Sequence, residues 1–369
     1  MVLTLGPGVA EAPARNLPRG LWSSRFRPVG IAGVGVAVGE RVLTNHDLER
    51  MVDTTDEWIR TRTGIVERRL VAPGQAASDL ATSAARQALE QAGLEPDDLD
   101  LIIVATVTPD TPFPATSCLV QRNLEARRAA AFDLSVGCTG FIYGLSVGSQ
   151  FVSSGRYSAV LVIGVEVLSS IVDWTDRNTC VLFGDGAGAA VLRPASEGMG
   201  ILAIHLGSDG RGADLLKLPA GGSRLPASAE TVARRLHYVQ MEGSEVFKFA
   251  VKVMAQASLG VLRRCGLKRS DIDLLIPHQA NLRIIEAAAE RLGVPWDRVV
   301  VNIHRYGNMS SASIPVALGE ALAEGRVREG DVILMVAFGA GLSWASCVMR
   351  WEDVGRTRTQ ALREVDADG

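Results

Sequence analysis

An internal repeat constrains the architecture of this chain more than any other feature. Residues 89–103, LEQAGLEPDDLDLII, match residues 262–276, LRRCGLKRSDIDLLI, at an offset of 173 residues, from Gly93 to Gly266. Further along, Gly137 and Gly155 have counterparts 170 residues later in two other Gly-containing turns. A solenoid unit repeats every ~20–50 residues, so this period is far too long for one. The repeat therefore predicts two similar α/β halves within one chain.

Apolar runs rich in β-branched residues alternate with helical segments in both halves. Runs such as LIIVATV and VILMVAF are typical of strands buried on both faces. Clear helices are predicted at 76–92, 139–154 and 281–292, each ending before a Gly that suits the position after a helix. This alternation indicates a layered α/β fold with largely parallel sheets.

The same pattern predicts the domain boundaries. We expect the N-terminal half at 28–198 and the C-terminal half at 199–352. A flexible N-terminal tail is expected at 1–27 and a polar C-terminal tail at 353–369. Residues 209–240 break the repeat and are predicted to form an inserted surface segment.

Composition excludes several function classes. The formal net charge of −3 argues against a general nucleic-acid binder. No apolar run approaches the ~18 residues of a membrane span, so no membrane association is expected. The 5 cysteines are dispersed without C-x-x-C spacing, which predicts neither a disulfide framework nor a metal site. A reducing, cytoplasmic location fits this usage, and the N-terminus lacks the pattern of a secretory signal.

Three polar residues lie in small-residue turns where a predicted strand meets a helix: Cys138, His278 and Asn308. A thiol at the start of a helix feels the positive end of the macrodipole, which is expected to lower its pKa and favour the thiolate. The exposed amides there can also hold an oxyanion when the thiolate attacks a carbonyl. Small neighbours of Cys138 leave space for a substrate that an inert buried cysteine does not need.

Taken singly, His278 is more typical of a satisfied core histidine and Asn308 of a helix N-cap. The repeat places Cys138 and Asn308 before equivalent helices, which predicts a single shared site. A Cys-His-Asn set in this order also resembles a papain-like protease. The local signature and secretory context of that family are missing, so a cysteine hydrolase is only a weak alternative.

At these residues the chain closely resembles β-ketoacyl-acyl carrier protein synthase III, an initiating condensing enzyme of the thiolase superfamily. The resemblance covers about Val29 to Trp351, and its motifs are TDEWIRTRTGI from Thr55, GCTGF from Gly137, TDR at 175–177, FGDGAGAA from Phe183, PHQANLR from Pro277 and GNMSSAS from Gly307. The resemblance implies a thiolase-like duplicated fold in a layered αβαβα arrangement. It also implies a homodimer that uses acyl-CoA and acyl carrier protein as substrates and needs no cofactor.

The resemblance also implies the reaction. Cys138 would attack a starter acyl-CoA, acetyl or short and branched, and hold the acyl group covalently. His278 and Asn308 would stabilise the enolate formed when malonyl-acyl carrier protein loses CO2, and this carbanion would attack the acyl-Cys. The products would be 3-oxoacyl-acyl carrier protein, CoA and CO2, at the start of fatty-acid biosynthesis. The backbone amides of Cys138 and Ala340 would form the oxyanion hole, although the family usually has Gly at the second position.

By the same resemblance, four residues would bind CoA: Trp58, Arg62, Arg177 and Asn281. The adenine would lie between Trp58 and Arg177. Seven side chains would line the acyl pocket, one of them, Phe113, reaching across from a partner subunit: Val107, Phe113, Leu168, Phe183, Leu216, Val239 and Phe247. The acidic carrier protein would dock on a partly basic set: Lys248, Gln279, Ala280, Asn281, Leu282, Arg283 and Arg291.

Two further hypotheses stay open at this point. A relative could pass the acyl-Cys to another acceptor, as an acyltransferase or a polyketide priming synthase of secondary metabolism would. A non-catalytic acyl-CoA or carrier-protein binding module is also conceivable, but unused polar groups in apolar turns are costly.

Overall fold

The computed structural model describes residues 26–353. The predicted tails at 1–27 and 353–369 therefore lie almost entirely outside the described residues. Their inner ends are attached to the fold. The backbone N–H of Arg27 donates to the Ser153 carbonyl at 2.9 Å, and the backbone N–H of Asp353 donates to the Glu329 carboxylate at 3.0 Å.

Strands and helices alternate as the sequence predicts. The strands are β1 Val29–Val38, β2 Arg41–Thr44, β3 Glu67–Leu70, β4 Leu101–Ala105, β5 Ala130–Leu134, β6 Val160–Val167, β7 Asp185–Pro194, β8 Gly200–Ser208, β9 Leu216–Lys217, β10 Gln240–Met241, β11 Leu274–Pro277, β12 Val332–Gly339 and β13 Ser343–Arg350. The α-helices are α1 Asn45–Glu49, α2 Asp56–Thr63, α3 Ala77–Ala92, α4 Thr116–Leu124, α5 Gly140–Ser153, α6 Arg177–Cys180, α7 Ala229–Ala233, α8 Gly243–Arg264, α9 Leu282–Leu292, α10 Ile303–Tyr306 and α11 Ser313–Ala323. Helices α3 and α9 end at Gly93 and Gly293, both in the left-handed conformation that favours glycine.

Two main sheets correspond to the two halves of the repeat. The first has the strand order β1-β7-β6-β4-β5 and the second β11-β12-β13-β8. The expectation of largely parallel sheets is wrong. Strand β4 runs parallel to β5 and β6, and β11 parallel to β12, but β7 and β13 are antiparallel to all their neighbours. Three residues separate β12 from β13, too few for the crossover of about a dozen residues that a parallel pair needs.

Five layers stack in the order helix, sheet, helix, sheet, helix. Helix α3 packs on the outer face of the first sheet, and α8 and α9 pack on the outer face of the second. Helices α5 and α11 lie between the sheets, where one hydrophobic cluster joins residues of both halves. Because both faces of each sheet are covered, strands such as β6 and β12 are buried along their whole length.

The connection between the halves is short. Strand β7 ends at Pro194 and β8 begins at Gly200, on either side of the predicted boundary between 198 and 199. Residues 209–240 contain a single short α-helix, α7, and lie mostly at the surface. In the described part of the chain, no helix combines the length and apolar character needed to cross a bilayer.

Candidate active site

Cys138 lies in a one-turn 3-10 helix, Gly137–Thr139, between β5 and α5. The turn is tied down by Thr139, whose hydroxyl donates to the Val136 carbonyl at 2.9 Å and meets the Ser343 hydroxyl at 3.0 Å. Helix α5 begins two residues after the thiol, at the entrance to the central layer. The predicted position of the cysteine at a strand-to-helix turn is therefore confirmed.

The predicted low thiol pKa is wrong for this structure. Cys138 is partly accessible to solvent, but the mass of protein around it desolvates the thiolate and raises the pKa of the thiol to about 12. The Ser310 hydroxyl lowers this pKa, and the carboxylate of Glu166 raises it. Burial therefore keeps Cys138 as a neutral thiol at physiological pH.

The turn after β12 lies directly against Cys138. A Cβ atom placed on Gly339 would come within 2.9 Å of the Cys138 backbone nitrogen, so only glycine allows this approach. At the next position, the Ala340 backbone nitrogen lies 3.5 Å from where a Cβ atom on Gly137 would be. The backbone segments of the two predicted oxyanion-hole amides, Cys138 and Ala340, are therefore neighbours.

His278 follows the last residue of β11 and is buried beside the same turn. Its backbone N–H donates to the Val336 carbonyl at 2.8 Å, and its ring meets the Phe338 ring edge-on at 5.6 Å. Neither ring nitrogen has a hydrogen-bond partner. Burial lowers the pKa of His278 to about 3, so the ring is neutral at physiological pH.

Asn308 is held by both its backbone and its side chain. Its backbone N–H donates to the Leu182 carbonyl at 2.8 Å, and its own carbonyl accepts from Gly184 at 3.1 Å. The side-chain Oδ1 accepts from the Ser310 backbone N–H at 2.8 Å. Since Oδ1 is engaged, the Nδ2 amide group is the end of Asn308 that can donate to a ligand.

The structure brings these three residues into one site. Phe338, which contacts His278, is followed by Gly339, which lies against Cys138. On the other side, the Gly137–Thr139 turn packs against the Ser310–Ala312 turn, and the Ser310 backbone N–H donates to Asn308 Oδ1. A thiol and two hydrogen-bonding side chains thus meet where both central helices begin.

A buried carboxylate bonded to Ser310 was missed from the sequence. Glu166, in β6, has no solvent exposure and accepts hydrogen bonds from the hydroxyls of Thr108 at 2.7 Å and Ser310 at 3.0 Å. Burial raises the pKa of this carboxyl, and the hydrogen bonds oppose that rise. A glutamate inside the apolar run VLVIGVEV was the available signal, because unpaired acids are rarely buried completely.

The predicted CoA residues lie on neighbouring elements. The Arg177 guanidinium stacks on the Trp58 ring at 4.3 Å. The Asn281 amide donates to the Arg62 carbonyl at 2.9 Å and also caps α9. Gly64, at φ +81°, ends α2 and packs so tightly on α9 that a Cβ would lie 2.5 Å from the Leu282 Cβ. The structure therefore brings all four predicted residues to one face formed by α2, α6 and the start of α9.

The predicted acyl-pocket residues fall into three groups. Four of them share one hydrophobic cluster: Val107, Leu168, Phe183 and Val239. Leu216 and Phe247 belong to the cluster of the second sheet, together with Phe338 beside His278. Phe113 stands apart with 85% of its surface exposed, so it lines nothing within its own subunit.

The docking prediction is wrong for one residue, Gln279. Gln279 has no exposed surface, and a carrier protein cannot contact its side chain. Its amide instead donates to the Pro277 and Val300 carbonyls at 2.9 and 3.0 Å and accepts from the Asn302 and Ile303 amides. The Gln279 side chain therefore links the turn at His278 to the backbone at the start of α10 by hydrogen bonds.

The other predicted docking residues are accessible. Lys248 and Arg283 are exposed on α8 and α9, where Lys248 pairs with Glu245 at 2.7 Å and Arg283 lies 5.3 Å from the Phe247 ring. Arg291 is also exposed and donates to the Val251 carbonyl at 2.6 Å. Ala280, Asn281 and Leu282 are partly exposed at the start of α9.

Two family models match the chain. Residues 132–210, which include Cys138, match the model described as 3-oxoacyl-[acyl-carrier-protein] synthase III. Residues 262–351, which include His278 and Asn308, match the model of the C-terminal part of the same family.

Curated proteins are similar over nearly their whole length. The β-ketoacyl-[acyl-carrier-protein] synthase III of Symbiobacterium thermophilum is 64% identical over 89% of this chain and 99% of its own. The enzyme of the same name from Caldanaerobacter subterraneus is 62% identical over 87% of this chain and 97% of its own.

Solved structures are similar in fold as well. The 3-oxoacyl-[acyl-carrier-protein] synthase III of Aquifex aeolicus is 48% identical, with a TM-score of 0.81 over 88% of this chain and 100% of that one. The Thermus thermophilus synthase is 50% identical, with a TM-score of 0.83 over 88% of this chain and 99% of that one. The priming β-ketosynthase of the R1128 polyketide pathway is less similar in sequence, at 37%, with a TM-score of 0.82 over 90% of this chain and 99% of that one. The predicted duplicated fold is confirmed.

Proposed function

Because this chain belongs to the β-ketoacyl-[acyl-carrier-protein] synthase III family and is a condensing acyltransferase of fatty-acid biosynthesis, we propose that Cys138, His278 and Asn308 carry out its reaction. The enzyme joins a starter acyl-CoA to malonyl-acyl carrier protein and releases CoA and CO2. The substrates supply all the reacting atoms, so no cofactor is needed.

In the first half-reaction, the Cys138 sulfur attacks the thioester carbonyl of the starter. The tetrahedral oxyanion is held by the backbone N–H groups of Cys138 and Ala340, whose segments are neighbours. Collapse of this intermediate expels CoA and leaves the acyl group on Cys138. Cys138 is only partly accessible to solvent, which limits the contact of the acyl-enzyme with bulk water.

In the second half-reaction, His278 and Asn308 hold the thioester carbonyl of malonyl-acyl carrier protein. A neutral imidazole N–H and the Asn308 amide group donate hydrogen bonds that strengthen as the enolate forms. The observation that carries this role is the complete burial of His278 with both ring nitrogens unpaired. Such groups are costly in a folded protein unless a ligand uses them.

A stoichiometric assay tests the reaction as a whole. With an acyl-CoA and malonyl-acyl carrier protein, we expect one CoA and one CO2 for each 3-oxoacyl-acyl carrier protein. CoA release without CO2 release or 3-oxoacyl product would point instead to a hydrolase or to a simple acyltransferase. The polyketide priming alternative is not favoured, because curated relatives at 62–64% identity carry the synthase III name and the priming synthase is 37% identical.

We assign the face around Trp58, Arg62, Arg177 and Asn281 to CoA and the exposed cations of α8 and α9 to the carrier protein. The carrier protein delivers malonyl on a pantetheine arm without adenine. Arg177 lies directly on the Trp58 ring at 4.3 Å, so an adenine would have to separate the two side chains, and cation–π and π contacts with both of them would favour its binding there. Lys248, Arg283 and Arg291 offer positive charge to an acidic carrier protein.

This assignment predicts that two variants will separate the substrates. Arg177→Ala should raise KM for acyl-CoA about tenfold, since it removes a cation–π contact, and should leave KM for malonyl-acyl carrier protein nearly unchanged. Lys248→Glu should raise KM for malonyl-acyl carrier protein about fivefold at low ionic strength, with less effect in salt. Steady-state kinetics with each substrate varied in turn measure both, and each variant is the control for the other. Equal effects on both KM values would refute the division.

We also propose that the enzyme is a homodimer. Strand β5 is an edge of the first sheet within the described chain, and apolar side chains of β5, α5 and β8 are only partly buried beside it: Phe132, Leu134, Tyr143, Val147, Phe151, Ile204 and Leu206. An exposed strand edge next to a large apolar face favours pairing with a second copy. Phe113 is then available to reach the acyl pocket of the partner.

A charge placed on this face should break the dimer. Phe132→Asp is expected to shift the protein from dimer to monomer in sedimentation velocity, because an unpaired carboxylate would be buried between subunits. The matched control is Trp296→Asp, an exposed aromatic near α9, which should remain dimeric. A wild-type monomer, or a Phe132→Asp dimer of unchanged affinity, would contradict the proposal.

A cytoplasmic location is proposed from the chemistry of the cysteines. All five are unpaired, and the nucleophile requires a free thiol, which reducing compartments maintain. Fractionation of cells followed by immunoblotting would test it, and recovery outside the cytoplasmic fraction would contradict it.

A further inference from the structure

The two hydrogen-bond donors of the second half-reaction lie on separate segments of the chain. His278 directly follows β11, and Asn308 follows α10 after one intervening residue. In the proposed reaction both side chains donate to one carbonyl oxygen. A misplacement of about 1 Å between such groups can lower the rate about 10²-fold. The position of one segment relative to the other therefore matters for decarboxylation.

The side-chain amide of Gln279 lies between these two segments. Its Nε2 donates to the Pro277 carbonyl at 2.9 Å on the first segment and to the Val300 carbonyl at 3.0 Å on the second. Its Oε1 accepts from the backbone N–H groups of Asn302 at 3.0 Å and Ile303 at 3.2 Å. A carboxamide can donate two hydrogen bonds and accept two. The hydrogen-bonding capacity of this fully buried amide is therefore used completely.

The same amide caps α10. In the described structure, the residue before this helix, Asn302, makes no capping hydrogen bond with its own side chain. Gln279 Oε1 takes the place of that cap. At the other end of the helix, the Ile303 carbonyl accepts from the Gly307 N–H at 2.9 Å. Two successive hydrogen bonds thus connect Gln279 with the residue next to Asn308.

We propose that Gln279 is a positioning residue that sets the place of His278 relative to Asn308, so that both can donate to the carbonyl of malonyl-acyl carrier protein. It acts on decarboxylation through these two donors. Acylation of Cys138 does not depend on it, because the turn at Cys138 is held by other contacts, such as the Thr139 and Ser343 hydroxyls at 3.0 Å. The proposal rests on the function assigned above to His278 and Asn308.

Gln279→Glu tests this role, because it keeps the shape of the side chain and replaces its N–H donors with an oxygen. At pH 8, kcat for CO2 release from malonyl-acyl carrier protein should fall about 10²-fold, and KM for that substrate should stay within about threefold of the wild type. Acylation of Cys138 should also stay within about threefold. It is followed in a single turnover with acyl-CoA alone, by rapid quench and intact-protein mass spectrometry.

These measurements separate three roles. A residue that docks the carrier protein would raise KM for malonyl-acyl carrier protein. A residue that only maintains the fold would affect acylation and CO2 release in parallel. A positioning residue lowers kcat for CO2 release and leaves the other two quantities nearly unchanged.

The pH dependence of Gln279→Glu adds a second readout. Burial against two carbonyl oxygens should raise the pKa of the introduced carboxyl above its ordinary value of ~4.3. The protonated carboxyl can donate to one of these carbonyls again. Its rate of CO2 release relative to the wild type should therefore recover about fivefold between pH 8 and pH 5.5.

The wild-type profile accounts for the other ionisable groups. The four partners of the Gln279 amide are backbone groups, and the ionisable side chains on the neighbouring segments are present in both enzymes: His278, His304, Arg305 and Glu320, the last two paired at 2.8 Å. Gln279→Met introduces no charge at any pH. It should show a similar loss of CO2 release at pH 8 and no recovery at pH 5.5.

The matched control is Gln121→Glu. The Gln121 amide in α4 also donates to two backbone carbonyls, those of Ala126 at 3.2 Å and Ala129 at 2.7 Å. Helix α4 carries none of the proposed site residues. Both half-reactions of this variant should match the wild type over the same pH range.

Three results with Gln279→Glu would overturn the proposal: CO2 release within about threefold of the wild type at pH 8, a parallel loss of acylation, or a loss that does not recover at pH 5.5. If this variant does not fold, Gln279→Met decides by the same comparison of CO2 release with acylation. A wild type that releases no CO2 from malonyl-acyl carrier protein would refute the function proposed above, and this result is distinguishable from the other three.

Discussion

Replacing Cys138 with Ala is expected to abolish formation of the acyl-enzyme and to lower condensation by about 10⁴-fold or more, as removal of a covalent nucleophile does. The sulfur is the atom that carries the acyl group, and no neighbouring hydroxyl is comparably nucleophilic. The measurement is intact-protein mass spectrometry after incubation with a mixture of acetyl-, isobutyryl- and octanoyl-CoA. A single adduct on the wild type would also identify the starter that the pocket prefers.

A second cysteine serves as the control. Cys265→Ala removes another partly accessible thiol at the end of α8, and it should keep the wild-type adduct and activity. An adduct that persists in Cys138→Ala and disappears in Cys265→Ala would show that Cys265, and not Cys138, is the nucleophile. No adduct with any thioester would favour a binding protein that holds acyl-CoA without chemistry.

Replacing His278 with Ala should affect the other half of the reaction. Decarboxylation of malonyl-acyl carrier protein is expected to fall about 10²–10³-fold, the usual cost of removing one oxyanion donor. Acylation of Cys138 should remain within a few-fold of the wild type, since neutral His278 does not take the thiol proton. Release of ¹⁴CO2 from labelled malonyl-acyl carrier protein and the mass of the acyl adduct measure the two halves separately.

The pH dependence of decarboxylation is a further expected result of the same assignment. Burial lowers the pKa of His278 to about 3, so the ring stays neutral from that pH upward and decarboxylation should show no inflection near the ordinary histidine value of ~6.5. His205→Ala is the matched control, because His205 also has a buried unpaired Nδ1 but lies in β8. Loss of acylation in His278→Ala, or an inflection near 6.5 that the variant removes, would mean that the histidine acts as a base.

The sequence was sufficient for the parts of the site that depend on local motifs and on the repeat. Cys138 and Asn308 could be placed together because each precedes a helix at an equivalent point of the repeat, and both helices occupy the central layer. The turn at His278 could be located because the strand before it is a short apolar run. These features depend on residues within one or two turns of the chain.

The failures have a common physical origin in packing between distant segments. Strand direction depends on connection length and not on the apolar pattern, which is why the antiparallel β12–β13 pair was missed. The thiol pKa depends on how many atoms of both halves surround Cys138. The family resemblance assigned Gln279 to docking, yet its amide hydrogen-bonds to backbone groups 21–24 residues away.

Glu166 shows how the missing information could be recognised in another chain. Its neighbours in β6 are apolar on both sides, so the charge had no evident partner in sequence. Its partners come from the end of β4 and from the turn before α11, which are brought to it only by folding. A lone acid in a doubly buried strand is therefore a reason to search for distant hydroxyls.

The shared central layer has a consequence for the origin of the chain. The apolar faces of α5 and α11 are buried only because each half covers the helix of the other. A protein consisting of a single half would expose this layer to water, and a second copy of itself would be the simplest cover. Gene duplication and fusion of such a symmetric ancestor would have freed its two identical sites to diverge, one keeping the sulfur and the other the groups that stabilise the carbanion.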